Sequence, residues 1–544
     1  MRYTTFIIFL GLNISVFSQS IKPKLVVGIV VDQMRHEYLQ RFESKYGNDG
    51  FKRLQSQGFE ARNHHYNYVP TYTAPGHASI YTGTTPRYHG IIANDWYSKE
   101  LGRPTYCVAD TTVTAVGGTE RNGLISPRNL MVNTITDELK LATNFRAKVI
   151  GMSIKDRGAV LPAGHAAEAA YWFDSNTGEF MTSDFYVDEL PDWVKDFNKK
   201  KLVDKYMKKD WTTLLPIDQY VESTPDNVPY ERGFKGKDTP TFPYNLDKLR
   251  MKNGPYGMIR TTPFGNSILA DFAKAAVEGE NLGKDEITDF LAVSFSSTDY
   301  VGHNFGPNSV ELEDTYLRLD QTLGELMKYL DEQIGKGEYV IFLTADHGVA
   351  ANSQFLLDHK LPGGYIDMDE IKQIVAQGIM DLGLDPEKLI LSSSNDQVFL
   401  NHDYIKTQGL DLEVTQQKVA DVLMQIPQVA EVFNATDLAN RDYTDPLRII
   451  IQNGYNRKLS GDLLILNKPG YLYNNYGSAG TTHGTGYAYD THVPMLFYGT
   501  GIKNGSTTQK TYITDLVPSL SMILNISIPN SAITGQPIED LFDE

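Results

Sequence analysis

The sequence predicts an α/β fold in which helices cover both faces of a central, mostly parallel sheet. One observation is a set of continuous apolar runs, which are typical of strands buried on both faces. They lack the polar–apolar alternation of half-exposed strands. These runs are Lys24–Val31, Ala147–Met152, Phe290–Phe295, Tyr339–Thr344 and Val493–Tyr498. The other observation is that helical patterns lie between them, over His36–Gln57, Leu312–Gln333 and Thr514–Leu524. Strands that alternate with helices favour a parallel sheet.

The charge balance limits the kinds of partner. The chain has 544 residues, with 50 lysines and arginines against 67 aspartates and glutamates, which gives a net charge of −17. This balance argues against a nucleic-acid backbone or an anionic membrane surface as the main partner. An anionic substrate therefore needs a local positive centre. The hydrophobic content of 41% allows a large core, and wholesale disorder is excluded.

Residues 1–20 have the pattern of a secretory signal peptide. Arg2 gives a short basic start, and the mostly apolar run Phe6–Phe17 is too short to span a bilayer comfortably. We therefore expect a periplasmic or secreted protein without a membrane partner, and we expect a monomer. The only cysteine, Cys107, excludes an intramolecular disulfide and a zinc site built on several thiolates.

Two long stretches interrupt the alternation of strands and helices. Residues 158–260 are rich in Trp, Tyr, Pro and Lys, and we interpret them as an ordered surface insertion near the functional site. Residues 355–480 contain a helical pattern at Leu412–Met424 and further apolar runs at Val429–Phe433, Leu447–Ile451 and Leu463–Leu466. They predict a small α+β cap, inserted into a catalytic core formed by residues 21–355 and 480–544.

Acidic and histidine side chains adjoin several of the predicted strands. They are Asp32, Asp299, His303, Asp346, His347 and His483. Ligands of open α/β sheets bind beyond the carboxyl ends of strands, so we expect these six side chains to converge at one edge. Six such groups would repel one another or remain unpaired without cations, and they are suitable ligands for zinc. Their number suffices for two zinc ions with three protein ligands each, a pair that can support displacement at phosphorus.

A candidate nucleophile lies in the segment Pro70–Tyr81. Pro75 suits the first turn of a helix, so we expect Thr73 just before the helix N-terminus, where backbone N–H groups and the helix dipole favour an anion. Beside a metal pair, the hydroxyl of Thr73 could attack a phosphoryl group. Without the metal cluster, Thr73 would be a plain helix cap.

Several motifs together resemble the alkaline phosphatase superfamily, and most closely its threonine-nucleophile monoesterase branch, the PafA-type alkaline phosphatases of flavobacteria. They are Val30–Met34, Pro70–Ala74, Asn94–Tyr97, Lys155–Arg157, Ser297–His303, Ala345–Gly348 and Thr481–His483. The resemblance implies that one zinc ion is held by Asp299, His303 and His483. It implies that a second zinc ion, with Thr73 as its exchangeable partner, is held by Asp32, Asp346 and His347.

The resemblance also implies the reaction. Thr73 stands where a sulfatase would need Cys or Ser, so the sulfatase branch is disfavoured. The monoesterase branch binds phosphoryl oxygens at the positions of Asn94, Lys155 and Arg157, and a dianionic monoester gains from two cations. The sequence therefore predicts an exported, zinc-dependent alkaline phosphatase that hydrolyses small-molecule phosphate monoesters through a phosphothreonine intermediate.

Two alternatives stay open at this point. One is a phosphodiesterase or phosphonate hydrolase of the same superfamily, because diesterases share the metal ligands and the threonine. The other is a non-catalytic metal- or glycan-binding protein, which would explain the richness in Tyr and Trp but not Thr73 beside six ligands. A nucleotide-binding P-loop is absent, because no Gly-Lys pair is followed by Ser or Thr. Nucleotides remain possible only as substrates.

Overall fold

The computed structural model of the chain describes residues 22–473 and 479–542. The expected signal peptide, residues 1–20, lies outside these ranges. Within them, none of the helices combines the length and the apolar character that crossing a bilayer requires.

A ten-stranded sheet with helices around it forms the centre of the molecule, and the predicted α/β fold class is confirmed. In spatial order its strands are Gly505–Tyr512, Phe59–His65, Met495–Gly499, Tyr339–Thr344, Leu25–Val31, Asp289–Phe295, Val149–Ser153, Ala169–Asp174, Glu179–Ser183 and Ala115–Val116. Leu25–Val31 pairs in parallel with Tyr339–Thr344 on one side and Asp289–Phe295 on the other. All its side chains are buried, which explains its continuous apolar sequence.

One strand differs from the prediction in direction. The run Val493–Tyr498 was predicted to be parallel, but the strand Met495–Gly499 pairs antiparallel with Tyr339–Thr344. Composition cannot reveal this, because a strand buried on both faces is apolar throughout in either direction. The direction matters for His483, which precedes this strand. An antiparallel strand brings its preceding loop to the edge where the parallel strands end.

Helices pack around the sheet and contribute most of the remaining core. The two longest are Phe264–Gly279 and Val310–Leu330, and the latter begins with a cap in which the Ser309 hydroxyl accepts the N–H of Leu312. The other α-helices of the described residues that begin before residue 355 or after residue 480 are Tyr38–Arg41, Phe51–Gln57, Thr73–Thr82, Pro86–His89, Ile135–Ala142, Asp156–Ala163, Asp192–Lys199, Leu202–Met207, Leu246–Asn253, Ser297–Phe305, Ser353–Asp358, Ala488–Thr491 and Leu516–Leu524.

The helical pattern over His36–Gln57 is broken in the structure into two short helices, Tyr38–Arg41 and Phe51–Gln57. The intervening sequence contains Gly, Asn and Asp, which favour turns. The backbone N–H groups of Gly47 and Phe51 donate to the carboxylate of Asp320 at 2.7 and 2.8 Å. A side chain from the neighbouring long helix therefore stabilises the break.

The first part of residues 158–260 belongs to the large sheet. Ala169–Asp174 pairs in parallel with Val149–Ser153, and Glu179–Ser183 extends the sheet by antiparallel pairing. The aromatic run at residues 171–173 is therefore buried in the sheet, and the interpretation as a surface insertion is wrong for this part. The remainder includes a short two-stranded pairing of Asp210–Trp211 with Tyr244–Asn245.

The described part of residues 355–480 contains a second, four-stranded sheet. In spatial order its strands are Ile390–Ser394, Gln397–Leu400, Leu463–Asn467 and Val429–Asn434. Its helices are Met368–Asp381, Pro386–Leu389, His402–Thr407, Leu412–Leu423, Ala435–Asn440 and Pro446–Gly454. A separate hydrophobic cluster that includes Ile379, Val398 and Val419 packs the first four of these helices against the sheet, and another cluster with Leu438 and Ile451 packs the last two. The described residues also contain two short sheets: Asp95–Ser98 pairs with Arg103–Tyr106, and Gly364–Ile366 pairs with Tyr471–Tyr473.

Candidate active site

The six side chains predicted as metal ligands meet at one edge of the large sheet. Each comes from a loop or helix that adjoins a central strand. Four pairs among them have a histidine nitrogen 3.1 to 3.7 Å from a carboxylate oxygen. The residues brought together are Asp32, Asp299, His303, Asp346, His347 and His483.

Asp299, His303 and His483 form one group whose potential ligand atoms lie within 4.8 Å of one another. Oδ1 of Asp299 is 3.1 Å from Nε2 of His303 and 3.7 Å from Nε2 of His483. The Nδ1 atoms of these rings bond at 2.8 Å to the carbonyl oxygens of Thr481 and Thr71, respectively. Because a carbonyl only accepts, each Nδ1 carries a proton, and in the neutral ring the lone pair of Nε2 is directed at Asp299.

Asp32, Asp299 and His347 form a second group. Nε2 of His347 lies 3.5 Å from Oδ1 of Asp32 and 3.5 Å from Oδ2 of Asp346. Its Nδ1 bonds to the carbonyl oxygen of Gly348 at 2.8 Å. The resemblance assigned Asp346 to this set and Asp299 only to the other. In the structure Asp346 also contacts the second group, and Asp299 belongs to both groups, so the two groups are adjacent.

Two carboxylate oxygens, one in the second group and one in contact with it, fit a bound cation. Oδ1 of Asp32 and Oδ2 of Asp346 are buried and have no hydrogen-bond partner among the described residues. Burial raises the pKa of Asp346 well above its ordinary value, and the charge of Asp32 raises it further. Buried carboxylate oxygens without a partner are costly. Two carboxylates beside an imidazole are therefore a suitable donor set for a divalent metal ion.

Thr73 is the first residue of the helix Thr73–Thr82, one position later than its predicted place before the helix. Its hydroxyl oxygen is buried and lies 3.4 Å from Nε2 of His347. Gly76, in the same turn, approaches the loop of Asp346 so closely that a Cβ atom would lie 2.4 Å from the carbonyl oxygen of that residue. The helix N-terminus therefore packs directly against the second group.

Lys155 connects the two groups of potential ligands. It follows the strand Val149–Ser153 and is buried. Its ammonium nitrogen lies 2.7 Å from Oδ2 of Asp32 and 2.5 Å from Oδ2 of Asp299. One cation of the chain therefore contacts both groups.

Arg157 and Asn94 are the other two residues that were expected to bind phosphoryl oxygens. Nη1 of Arg157 donates to the hydroxyl of Tyr106 at 3.0 Å, and its Nε is buried without a hydrogen-bond partner in the part of the chain that the structure describes. Oδ1 of Asn94 accepts the backbone N–H of Ala74 at 2.9 Å, which ties Asn94 to the first turn of the Thr73 helix.

Gln33 is a site residue to which sequence reasoning gave no role. Its backbone N–H donates to Oδ1 of Asp346 at 3.1 Å, and its side-chain Nε2 donates to Oδ1 of Asp299 at 2.7 Å. Its φ of 67° places it in the left-handed region. Gly302 leaves room for this side chain, because a Cβ atom there would lie 1.8 Å from Oε1 of Gln33. The sequence signals for it are its position directly after Asp32 and its inclusion in the motif Val30–Met34.

A cavity of about 420 Å³ opens beside the potential metal ligands. Tyr72, Asn94, His303 and His483 line it on the side of the large sheet. Residues 393–396 and Tyr471–Tyr473, from the region predicted as a cap, form another wall. Side chains of that region therefore face the same cavity as the ligand groups.

A family model described as type I phosphodiesterase / nucleotide pyrophosphatase matches residues 26–488. The chain belongs to this family. Alkaline phosphatase PafA of Elizabethkingia meningoseptica is 47% identical, over 96% of this chain and 94% of PafA. Alkaline phosphatase PhoV of Synechococcus elongatus is 48% identical, over 97% of this chain and 94% of PhoV. A Myroides odoratus protein named calcium-transporting ATPase is 48% identical, over 96% of this chain and 95% of that protein.

The crystal structure of PafA matches this member of the type I phosphodiesterase family with a TM-score of 0.92 and 46% identity, covering 96% of this chain and 99% of PafA. A second solved structure is that of a PafA variant in which a threonine, an asparagine, a lysine and an arginine are replaced, and its TM-score is 0.91 with the same identity and coverage. The identification of the chain from its motifs as an enzyme of the alkaline phosphatase type is confirmed.

Proposed function

We propose that this chain hydrolyses phosphate monoesters of small molecules through a phosphothreonine formed at Thr73, with two zinc ions as cofactors. The observation that carries the proposal is the position of the Thr73 hydroxyl, which begins a helix and lies 3.4 Å from Nε2 of His347, beside two groups of potential metal ligands. A helix N-terminus favours an anionic phosphoryl group at this place.

We assign one zinc ion to Asp299, His303 and His483, and the other to Asp32, Asp346 and His347. Imidazole nitrogen and carboxylate oxygen are typical zinc ligands, and three protein ligands per ion are typical of catalytic rather than structural sites. When bound, the two zinc ions lower the pKa of a neighbouring hydroxyl group and stabilise negative charge on the leaving oxygen.

The chain's own residues hold the substrate and form the covalent bond. Asn94, Lys155 and Arg157 bind the nonbridging phosphoryl oxygens. Oγ of Thr73 forms a bond to phosphorus while the bond to the ester oxygen breaks, and the proton lost by the Thr73 hydroxyl passes to the leaving oxygen, so that the alcohol is released. Water then displaces the Thr73 oxygen from phosphorus, which releases phosphate and restores the hydroxyl. The solved PafA variant has a threonine, an asparagine, a lysine and an arginine replaced. These are the residue types of the four side chains to which we assign catalysis here, Thr73, Asn94, Lys155 and Arg157.

Diester hydrolysis is the second candidate, because the description of the matching family names phosphodiesterases. The two cations Lys155 and Arg157 favour monoesters over diesters. A monoester carries one more negative charge than a diester, and it gains more from two cations in a low-dielectric site. The grouped potential ligands and the adjacent Thr73 hydroxyl favour ester hydrolysis over the calcium transport named for the Myroides relative.

We further propose that the protein is exported to the periplasm or secreted, and that it acts as a monomer. Support for export comes from the basic start and short apolar run of residues 1–20. The net charge of −17 supports small-molecule substrates rather than a nucleic-acid partner.

A paired assay tests the proposed function. The purified chain is given nitrophenyl phosphate and its methyl diester, before and after removal of metal with a chelator and after zinc is restored. We expect the monoester to have the higher kcat/KM, the chelated protein to lose activity on both substrates, and zinc to restore both. A higher kcat/KM for the diester would favour the second candidate. Full monoesterase activity of the metal-free protein would contradict the zinc assignment.

A further inference from the structure

The hydroxyl of Tyr106 joins Arg157 to a neighbouring carboxylate. It accepts a hydrogen bond from Nη1 of Arg157 at 3.0 Å and donates one to Oδ1 of Asp156 at 2.5 Å. The same Oδ1 atom accepts the backbone N–H of Arg157 at 2.6 Å. The two ends of Arg157, its backbone and its guanidinium group, are therefore connected through one tyrosine and one aspartate.

This arrangement leaves one edge of the guanidinium group for another ligand. Tyr106 occupies Nη1, whereas Nε of Arg157 is buried without a hydrogen-bond partner among residues 22–473 and 479–542. The Nε and Nη2 donors form one fork of the planar group, and such a fork binds two oxygens of a phosphoryl group or a carboxylate. The hydrogen bond from Nη1 to Tyr106 thus fixes the orientation of the guanidinium plane and the direction of that fork.

The hairpin that carries Tyr106 also supports Asn94. Tyr106 ends the strand Arg103–Tyr106 and lies opposite Asp95 in the antiparallel partner strand. The next residue, Cys107, donates its backbone N–H to the carbonyl oxygen of Asn94 at 2.9 Å. Two of the proposed phosphoryl contacts, Asn94 and the Tyr106–Arg157 pair, are therefore held at the same end of one hairpin.

Tyr106 keeps its proton under alkaline conditions. Burial raises the pKa of its hydroxyl well above the ordinary value, against the opposing charge of Arg157, and Asp156 raises it further. The hydroxyl can therefore donate to Asp156 and accept from Arg157 at a pH at which an exposed tyrosine would begin to ionise.

We propose that Tyr106 is a positioning residue for phosphate-monoester hydrolysis, which acts by orienting the guanidinium group of Arg157. This inference rests on the proposed function. Its consequence is selective, because a misoriented Arg157 costs most where its positive charge matters most, on the dianionic monoester.

The substitution Tyr106→Phe tests the inference, because it keeps the ring and removes only the hydroxyl. We expect kcat/KM for nitrophenyl phosphate to fall about tenfold, the size of one hydrogen bond to a charged group, and kcat/KM for the methyl diester to fall less than about twofold. The matched control is Tyr206→Phe. The Tyr206 hydroxyl also donates to a carboxylate, Asp271 at 2.8 Å, but outside the site, and this variant should retain both activities.

The same substitution in an Arg157→Ala background separates positioning from a general structural effect. If Tyr106 acts through Arg157, the double variant should be no slower on the monoester than Arg157→Ala alone. An undiminished tenfold loss in that background, or equal losses on monoester and diester, would overturn the inference. So would unchanged monoester hydrolysis by Tyr106→Phe.

Binding of inorganic phosphate by calorimetry distinguishes failure of the inference from failure of the proposed function. If the wild-type chain hydrolyses no monoester, the proposed function is wrong. The orienting role of Tyr106 can still be tested, because it requires Tyr106→Phe to weaken phosphate binding about tenfold. In the Arg157→Ala background, the same substitution should leave phosphate affinity unchanged. Phosphate affinity that is unaffected by Tyr106→Phe would overturn the inference in either case.

Discussion

Nζ of Lys155 lies 2.5 Å from Oδ2 of Asp299. The same nitrogen lies 2.7 Å from Oδ2 of Asp32, so one ammonium group contacts both groups of potential metal ligands. Burial opposes the charge of Lys155, but the carboxylates of Asp299 and Asp32 raise its pKa above the ordinary value. In the zinc-free protein Lys155 therefore remains a cation under alkaline conditions.

Replacement of this lysine should destabilise the zinc-free protein more than the zinc-loaded protein. Lys155→Met leaves two buried carboxylates without their ammonium partner, which costs about 3 kcal/mol when one partner of a buried ion pair is removed. Bound zinc compensates the same carboxylates, so the loss should then be smaller. Urea unfolding with chelator and with excess zinc measures both values. Equal losses under the two conditions would contradict a metal site at Asp32 and Asp299.

Gln33 should strengthen zinc binding although it is not itself assigned as a ligand. Its Nε2 donates to Oδ1 of Asp299 at 2.7 Å, and loss of such an orienting bond typically weakens a metal site at least about tenfold. Gln33→Leu should therefore lower zinc affinity by this amount in a titration against a competing chelator.

The control for this variant is Gln416→Leu. Gln416 is also buried and donates to a buried aspartate, Asp462 at 3.2 Å, but it lies in the region of the second sheet. Its replacement should leave zinc affinity unchanged. Unchanged affinity in Gln33→Leu as well would show that Gln33 does not orient Asp299.

The pair of His165 and Asp137 should make stability depend on pH. Nδ1 of His165 lies 3.1 Å from Oδ2 of Asp137, and this hydrogen bond raises the pKa of the histidine. Because the folded pKa exceeds the unfolded value of about 6.5, the stabilisation is complete below about pH 6.5 and is lost as pH rises through the folded pKa. His165→Gln should therefore cost up to about 1 kcal/mol at about pH 6 and less at about pH 9, since the pair is partly exposed.

Urea unfolding of the wild type and of His165→Gln at the two pH values checks this. The zinc concentration is kept saturating in both, so that protonation of the metal ligands does not dominate the comparison. An equal loss at both values, or a larger loss at the higher pH, would contradict the assigned sign.

The six potential metal ligands were predictable from the sequence, because each of these residues adjoins an apolar run that forms a strand. In a mostly parallel sheet, the chain positions after Leu25–Val31 and Tyr339–Thr344 must meet at one edge, whatever the details of packing. His483 joins the same edge only because its strand is antiparallel, and a uniformly apolar strand does not encode its direction.

Other site features depend on contacts that sequence patterns do not contain. The left-handed backbone of Gln33 is a tertiary feature, because glutamine has no preference for that conformation. Tyr106 contacts Arg157, which lies 51 positions later in the sequence. This contact depends on where the hairpin of Tyr106 packs in the folded protein. The membership of Asp299 in both ligand groups likewise depends on the three-dimensional fold, because its position in the sequence places it after a strand but does not show which side chains it meets there.

Trapping of the covalent intermediate is the decisive test of Thr73 as the nucleophile. The zinc-loaded protein is mixed with a radiolabelled phosphate monoester, quenched in acid and mapped by peptide mass spectrometry. We expect label on Thr73, no label in Thr73→Ala, and a fall in turnover of at least about a thousandfold in that variant, with zinc content still near two ions per chain. Label on another residue, or a Thr73→Ala variant that retains turnover with its zinc intact, would contradict this role of Thr73.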